Sequence, residues 1–368
     1  MKRIIVITAL CLFALLSAGW VLRLAAKQQT RKINTTPAPP LRVEPAKESD
    51  ATGKTVAAAK AFLATLDAAA RARVSFAFNS DQKSKWSNLP VGIYNNRNGL
   101  RWGDLSAAQR EATMKLLATA LSKQGLQKVK EIMEGDETLR PPDSGRGGGT
   151  GGPIFGRDEY YLAFLGAPSL REPWMIQFGG HHLAINLTIV GKSNVMTPSL
   201  PAAQPTTYKL NGETVRPLGR ENDKSFALVN SLDASQQKQA ILPYQVSDLV
   251  LGPGEDGKTI QPEGIKASAL NAAQQNMLLD LAHEWVGILN DEAASAKMAE
   301  IKANLPETWF AWSGPTTQGS AAYFRIQGPT LLIEYAPQRL RGGGLDLNHL
   351  HTIYRDPTND YGARLVKR

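Results

Sequence analysis

Five histidines are the side chains of this sequence best suited to chemistry: His181, His182, His283, His349 and His351. Four of them fall in two tight clusters. His349 and His351 alternate in a segment that reads as a strand, so they point the same way, about 7 Å apart along the backbone. Two imidazoles so placed can reach one metal ion. The other cluster opens a second strand-like segment, His181 to Val190. Alternation groups His181 with Leu183, Ile185, Leu187 and Ile189 on an apolar face, and His182 with Ala184, Asn186 and Thr188 on a more polar one. His182 is therefore the preferred ligand of that pair. His181 is the second choice, because a histidine on an apolar face is more often a hydrogen-bonded core residue. His283 sits beside the helical stripe of Met277, Leu281, Trp285 and Leu289 and reads as structural.

Oxygen ligands or acid–base partners come from two further places. Glu334 interrupts the apolar run Leu331-Leu332-Ile333-Glu334-Tyr335-Ala336. A buried carboxylate must find a cation, a set of donors or a metal. Arg325 is similarly placed in the strand before it, so Glu334 is expected either to pair with Arg325 or to serve as a metal ligand. Asp356 lies in the polar run Tyr354 to Gly362, where it forms a turn, orients His351 or joins a metal. The Asp356, Asn359 and Asp360 oxygens are also a possible calcium set, although their spacing is not that of an EF-hand loop. Asp356 and Arg325 are the expected catalytic side chains, and His182, His349, His351, Glu334 and His181 the expected metal set.

Other chemistries are disfavoured. The one cysteine, Cys11, lies in the N-terminal apolar run, which leaves the rest of the chain without a disulfide or a thiolate metal site. Any metal must be held by nitrogen and oxygen, which suits zinc, copper, iron or manganese. No Gly-x-Ser-x-Gly elbow is present for a serine hydrolase. The glycine-rich stretch between Pro141 and Pro153 leads into the strand-like Tyr160 to Leu165, not a helix N-terminus, so it reads as a mobile loop or lid and not as a phosphate cradle.

The elements that must position these residues are legible in outline. An alanine-rich helical pattern runs from about Val56 to Arg73, and two helices split at Gly125 follow from Leu105 to about Leu139. Leu105-Ser106-Ala-Ala-Gln109, Leu232-Asp233-Ala-Ser-Gln236 and Leu270-Asn271-Ala-Ala-Gln274 are capping boxes that mark helix starts. Strand-like texture covers Trp174 to Phe178, His181 to Val190, Ala321 to Gln327, Thr330 to Tyr335 and His349 to Tyr354. A long helix from about Asn271 to Asn290, and another to about Asn304, separate the earlier strands from the later ones. Unalternated runs of helices and strands predict an α+β fold: a mixed or antiparallel sheet core, an N-terminal helical section and helices packed on the sheet.

The chain divides by composition into three parts. Residues 1–26 open with Lys2 and Arg3 and continue as an apolar run from Ile4 to Leu22, the signature of an export signal or a retained membrane anchor. Residues 27–55, rich in Thr and Pro, read as a flexible linker. Residues 56–368 read as the globular body, either whole or as a helical subdomain 56–140 joined to a sheet-containing part 154–368. The expected location is extracytoplasmic, with membrane contact only through the N-terminal segment. The formal charge is +9, of which Lys2, Arg3 and Arg23 contribute three, and no block of basic residues suggests a nucleic-acid partner.

Four segments resemble a known family: Gln177 to Asn186, Trp312 to Pro315, Tyr323 to Pro329 and His349 to Gly362. The chain from about Ala58 onward is similar to the bacterial and fungal domain of unknown function 3500. That resemblance implies no activity and assigns no catalytic residues. The function expected from the residues themselves is that of an exported metal-dependent enzyme, hydrolytic or redox, acting on a small-molecule substrate. The alternatives are an envelope ligand-binding protein with a polar His, Arg and Trp cleft, and histidines that merely strut the sheet.

Overall fold

The computed structural model describes residues 31–32, 40–141, 152–340 and 342–366. The expected export segment, residues 27–30 and 33–39 of the expected linker and the glycine-rich residues 142–151 lie outside the described residues; residues 51–55 of that linker already belong to a helix. Among the described residues no helix is long and apolar enough to cross a membrane.

Among the described residues eight α-helices form: α1 (Ala51–Ala64), α2 (Ala68–Val74), α3 (Ala107–Ala120), α4 (Lys123–Glu137), α5 (Gly219–Ser231), α6 (Ala234–Ala240), α7 (Ala272–Val286) and α8 (Asp291–Ala303). All three capping boxes are made. Ser106, Asp233 and Asn271 accept from the amides of Gln109, Gln236 and Gln274, whose side chains return to the cap amides. Each such cap is worth about 1 kcal/mol. The alanine-rich run proves to be two helices, because Asp67 accepts from the Ala70 amide and starts a new one. The break expected at Gly125 falls instead at Leu121–Ser122, where Ser122 caps α4 by accepting from the Gly125 amide. Helix α5 carries no capping side chain at Leu218, so no local signal marks its start.

Two sheets carry the site. The first contains β1 (Ser75–Phe76), β2 (Leu100–Arg101), β3 (Tyr161–Leu165), β4 (Trp174–Gly180), β5 (Leu183–Val190), β6 (Ser193–Val195) and β7 (Leu200–Pro201). Its main path runs β1-β3-β4-β5-β6, with β2 beside β3 and β7 beside β5. Only the β1–β3 pair is parallel. The second sheet is antiparallel throughout: β8 (Ile265–Lys266), β9 (Trp309–Ser313), β10 (Tyr323–Gly328), β11 (Leu331–Arg339) and β12 (Leu345–Arg355). The α+β expectation therefore holds, with one mixed and one antiparallel sheet. One cluster of buried apolar side chains runs from Val56 in α1 through both sheets to Tyr354.

The join between the sheets is a short stretch of backbone. Pro201 and Leu200 of β7 pair with Leu183 and Ala184 of β5. The next residues reach the other sheet: the amides and carbonyls of Ala203 and Leu350 exchange two bonds of 2.9 Å, and Ser199 does the same with Tyr354. Strands β5 and β12 thus sit on either side of one strap. Behind β12, the Trp285 indole of α7 donates to the Thr352 hydroxyl at 2.9 Å. Trp312, Phe324 and Tyr335 stack in sequence across β9, β10 and β11.

Helix α4 is locked to the end of α7. The Ser122 amide donates to the Ile288 carbonyl at 3.0 Å, and a Cβ placed on Gly125 would meet that carbonyl oxygen at 2.3 Å. Exchanging glycine for alanine inside a helix ordinarily gains about 1 kcal/mol. Here Gly125→Ala is expected to destabilise by about 1–3 kcal/mol, as overpacking against backbone does. Thermal unfolding would show a lowered midpoint; an unchanged or raised midpoint would disprove the close approach.

Candidate metal centre

Strand register decides where the first two histidines go. Gly180 pairs with Leu183, so His181 and His182 form the two-residue turn between β4 and β5 and are not the first residues of a strand. The alternation expected from His181 onward therefore begins only at Leu183. His182 adopts φ +62°, the left-handed region that a non-glycine residue occupies at a cost of about 1–2 kcal/mol. The turn is held on several sides. The Ala202 amide donates to the His182 carbonyl at 2.9 Å, and the His182 amide donates to the Asn88 carbonyl at 3.2 Å. The Tyr160 hydroxyl donates to the His181 carbonyl at 2.7 Å. Arg97 donates to the Ser87, Leu89 and Gly180 carbonyls, tying the Asn88 segment to the hairpin.

The other two histidines come from an irregular stretch of β12. Leu350 pairs with Pro337, yet Asp346 pairs with Gln338, so Leu347, Asn348 and His349 are extra residues in a bulge. Proline cannot donate to a ladder and tolerates such an interruption. The bulge leaves His349 half-buried, while His351, opposite Ala336, is buried. Bulges re-aim side chains, and here the re-aimed side chain is a histidine.

The three rings converge through their Nε2 atoms. His182 and His349 are 2.9 Å apart, His349 and His351 3.1 Å, and His351 and His182 3.3 Å. A neutral imidazole carries one N–H and one lone pair. If the proton sits on Nδ1 in each ring, three lone pairs face a common point. Zinc–nitrogen bonds of about 2.0–2.1 Å in a tetrahedron place donor atoms about 3.3 Å apart, so one ion fits this triangle. These three histidines can hold a metal ion.

Electrostatics keep His182 and His349 neutral, the form that ligates. Burial, followed by the neighbouring rings of His181, His351 and His349, pushes the His182 pKa well below the ordinary imidazole value. Burial, then His351 and His181, lowers His349 to about 3. The Nδ1 of His351 lies 3.2 Å from the Asp248 carboxylate. Burial alone would raise Asp248, but the hydrogen bond and charge of His351 outweigh it and hold the carboxyl below its ordinary value. A carboxylate facing Nδ1 fixes the proton there and frees Nε2 for a metal, the usual arrangement around a ligating histidine. The Asn88 amide nitrogen is nearly equidistant from both His351 ring nitrogens, at 3.1 and 3.3 Å, which places it over the ring and not along either lone pair. His182 departs from the usual pattern, since its buried Nδ1 has no partner.

The remaining expected site residues lie outside the triangle. His181 lies beside the triangle: its Nδ1 meets the Asp136 carboxylate at 2.6 Å and its ring stacks 3.7 Å from that of His182. Glu334 sits opposite Arg325 in register. Its oxygens accept from the Tyr323 hydroxyl at 2.7 Å and from the amides of Val250 and Leu251 at 3.0 and 2.8 Å. Glu334 therefore anchors the segment that carries Asp248, two residues upstream. Arg325 reaches Glu263 at 3.2 Å. Asp356 pairs with Lys297 at 2.6 Å and accepts from Thr358; the carboxylate that orients His351 is Asp248 instead. Arg355 lies between Asp256 and Asp360, where the calcium expectation needed free oxygens. His283 is exposed on α7. Sequence reasoning missed Asp248, Asn88 and Asp136, which sit in loops or at a helix end with no spacing that ties them to a histidine.

The family described as protein of unknown function (DUF3500) matches residues 48–363, nearly the whole chain, and the chain belongs to it. No curated protein and no solved structure matches the chain.

The depressed histidines set a pH dependence for the metal-free fold. Unfolded histidine binds its proton near pH 6.5, whereas folded His349 does so only near pH 3, so between these values the unfolded state holds more protons. Stability contributed by this group is present above pH 6.5 and is lost as pH falls. Chelator-treated protein should melt at progressively lower temperature from pH 7.5 to 5, and His349→Gln should flatten that slope. Equal slopes would show that His349 titrates normally.

Proposed function

We propose that this member of the family is an exported metalloenzyme in which His182, His349 and His351 hold one transition-metal ion through Nε2. The reading rests on the triangle of 2.9, 3.1 and 3.3 Å between those atoms, drawn from two sheets, in which burial holds His182 and His349 neutral. Lone pairs converging at this spacing repel one another unless a cation lies between them. Three protein ligands with a position left for water or substrate is the pattern of catalytic zinc sites, in contrast to the four-ligand closed sites of structural zinc. The donor set also suits copper, iron and manganese. Such an ion supplies either an activated water for hydrolysis or, as copper or iron, a change of oxidation state.

The protein's own part is to hold the donors. Asp248 orients His351, Arg97 and Asn88 brace the turn, and the β12 bulge turns His349 inward. The half-buried His349 leaves that edge nearest to solvent, where a small substrate would approach. Export is supported by the charged start and apolar run of residues 1–26.

Three measurements test the reading. Elemental analysis of untagged protein should find close to one zinc, copper, iron or manganese per chain, lost in the His349→Ala, His351→Ala double variant with the circular dichroism spectrum preserved. Stoichiometric metal in that variant, or none in the wild type after reconstitution, would overturn it. Asp248→Asn should weaken metal binding about 10–100-fold in chelator competition, as loss of an orienting carboxylate does. His182→Gly relieves the left-handed strain and removes the unpartnered Nδ1. It should abolish metal binding while leaving the metal-free protein within about 1 kcal/mol of wild type. A large loss of metal-free stability would mark the histidine as a structural strut.

A further inference from the structure

The backbone around Asn88 braces the histidine turn, but its side chain takes no part in that bracing. The Asn88 carbonyl accepts from the His182 amide at 3.2 Å, and Arg97 holds the carbonyls of Ser87 and Leu89 on either side. The carboxamide itself is buried, the residue being 8% exposed. Among the described residues its nitrogen meets only the two ring nitrogens of His351, at 3.3 Å from Nδ1 and 3.1 Å from Nε2. Neither is a good acceptor for it. The Asp248 carboxylate, 3.2 Å from Nδ1, keeps the ring proton on that atom, and Nε2 points into the triangle. Two N–H donors of a buried amide are thus left with the face of a ring, which accepts only weakly. A buried donor without a proper acceptor is costly, so this one points to a group that the fold itself does not supply.

The distances say where that group would sit. Nearly equal separations from both ring nitrogens put the amide nitrogen above the ring, because a place in the ring plane would overlap Cε1. An ion bonded to Nε2 at about 2.0–2.1 Å in the ring plane then lies about 4 Å from an amide nitrogen that stands over the ring 3.1 Å from the same atom. A donor bonded at about 2.9 Å to an oxygen that is itself about 2 Å from a metal also stands about 4 Å from that metal. The two separations agree.

We propose that Asn88 donates through its side-chain amide to the oxygen atom that fills the fourth position of the ion, and so selects an oxygen ligand for that position. The inference rests on the metal reading above and deepens it. A hydroxide, or the carboxylate or carbonyl oxygen of a substrate, keeps a lone pair for the amide after binding a metal. An aromatic nitrogen does not, since its one lone pair is spent on the ion. Asn88 therefore favours carboxylate and carbonyl substrates over nitrogen heterocycles, and it stabilises negative charge that gathers on the bound oxygen.

The test uses the untagged full chain, stripped with chelator and reloaded with cobalt(II), whose visible spectrum reports each change in the ligand set. Acetate and imidazole are titrated separately as fourth ligands, and both should bind wild type saturably. Asn88→Ala should take up cobalt at the wild-type stoichiometry and leave imidazole affinity unchanged. It should weaken acetate about 10-fold or more, the weight of one hydrogen bond to a charged group. Asn88→Asp keeps the shape but presents a negative acceptor, and should weaken acetate further. Acetate affinity unchanged in Asn88→Ala, or acetate and imidazole weakened equally, would overturn the proposal while the metal reading stands. Loss of cobalt from both Asn88 variants would make the side chain a strut for His351 and overturn it as well. Wild type that takes up no cobalt, or a His349→Ala, His351→Ala double variant that takes it up equally, would overturn the metal reading and this inference with it.

Discussion

The histidine cluster depends on the strap formed by Ala202 and Ala203. Ala202 donates to the carbonyl of His182, and Ala203 exchanges two bonds with Leu350, the residue between His349 and His351. Two successive residues therefore fix the separation of histidines that lie 167 positions apart in the chain. Backbone bonds of this kind are stiffer than side-chain contacts, and both sheets behind them are packed into one apolar core. Precision at the Nε2 atoms is thus inherited from the rigidity of β5 and β12.

Several local features of the site work against stability. A non-glycine residue holds a left-handed turn, a buried ring nitrogen lacks a partner, and three imidazole nitrogens face one another at 2.9–3.3 Å. Each is individually a cost of about 1–3 kcal/mol. Such features persist where the surrounding structure overdetermines them, and they gather at functional sites. The bonds from Asn88, Ala202 and Tyr160 supply that overdetermination at the turn.

The buried charges of the second sheet have a supporting task. Glu334 takes two amides of the 250–251 segment, and Arg355 donates to the carbonyls of Leu251 and Gly252. Together they pin a loop that lacks regular structure of its own and carries Asp248 to the edge of His351. A carboxylate in an apolar strand demanded a partner, as electrostatics requires, and its hydrogen bonds come from backbone amides and a tyrosine, with the Arg325 charge opposite it in register.

By itself the sequence determined the local elements and the short list of ligands. Capping boxes at Ser106, Asp233 and Asn271 are written in residues three apart, and the histidine inventory was small enough to isolate His182, His349 and His351. These are matters of neighbouring residues, where hydrogen-bond geometry and periodicity act over a few positions. Only the tertiary structure decided that His181 and His182 form a turn, since strand pairing sets where a hairpin reverses and alternation alone does not. It also decided that Glu334 and Asp356 stand apart from the histidine cluster and that Asp248 faces His351. Those choices follow from register and from a bulge opposite Pro337, and both arise between segments far apart in the chain, where no local pattern reaches.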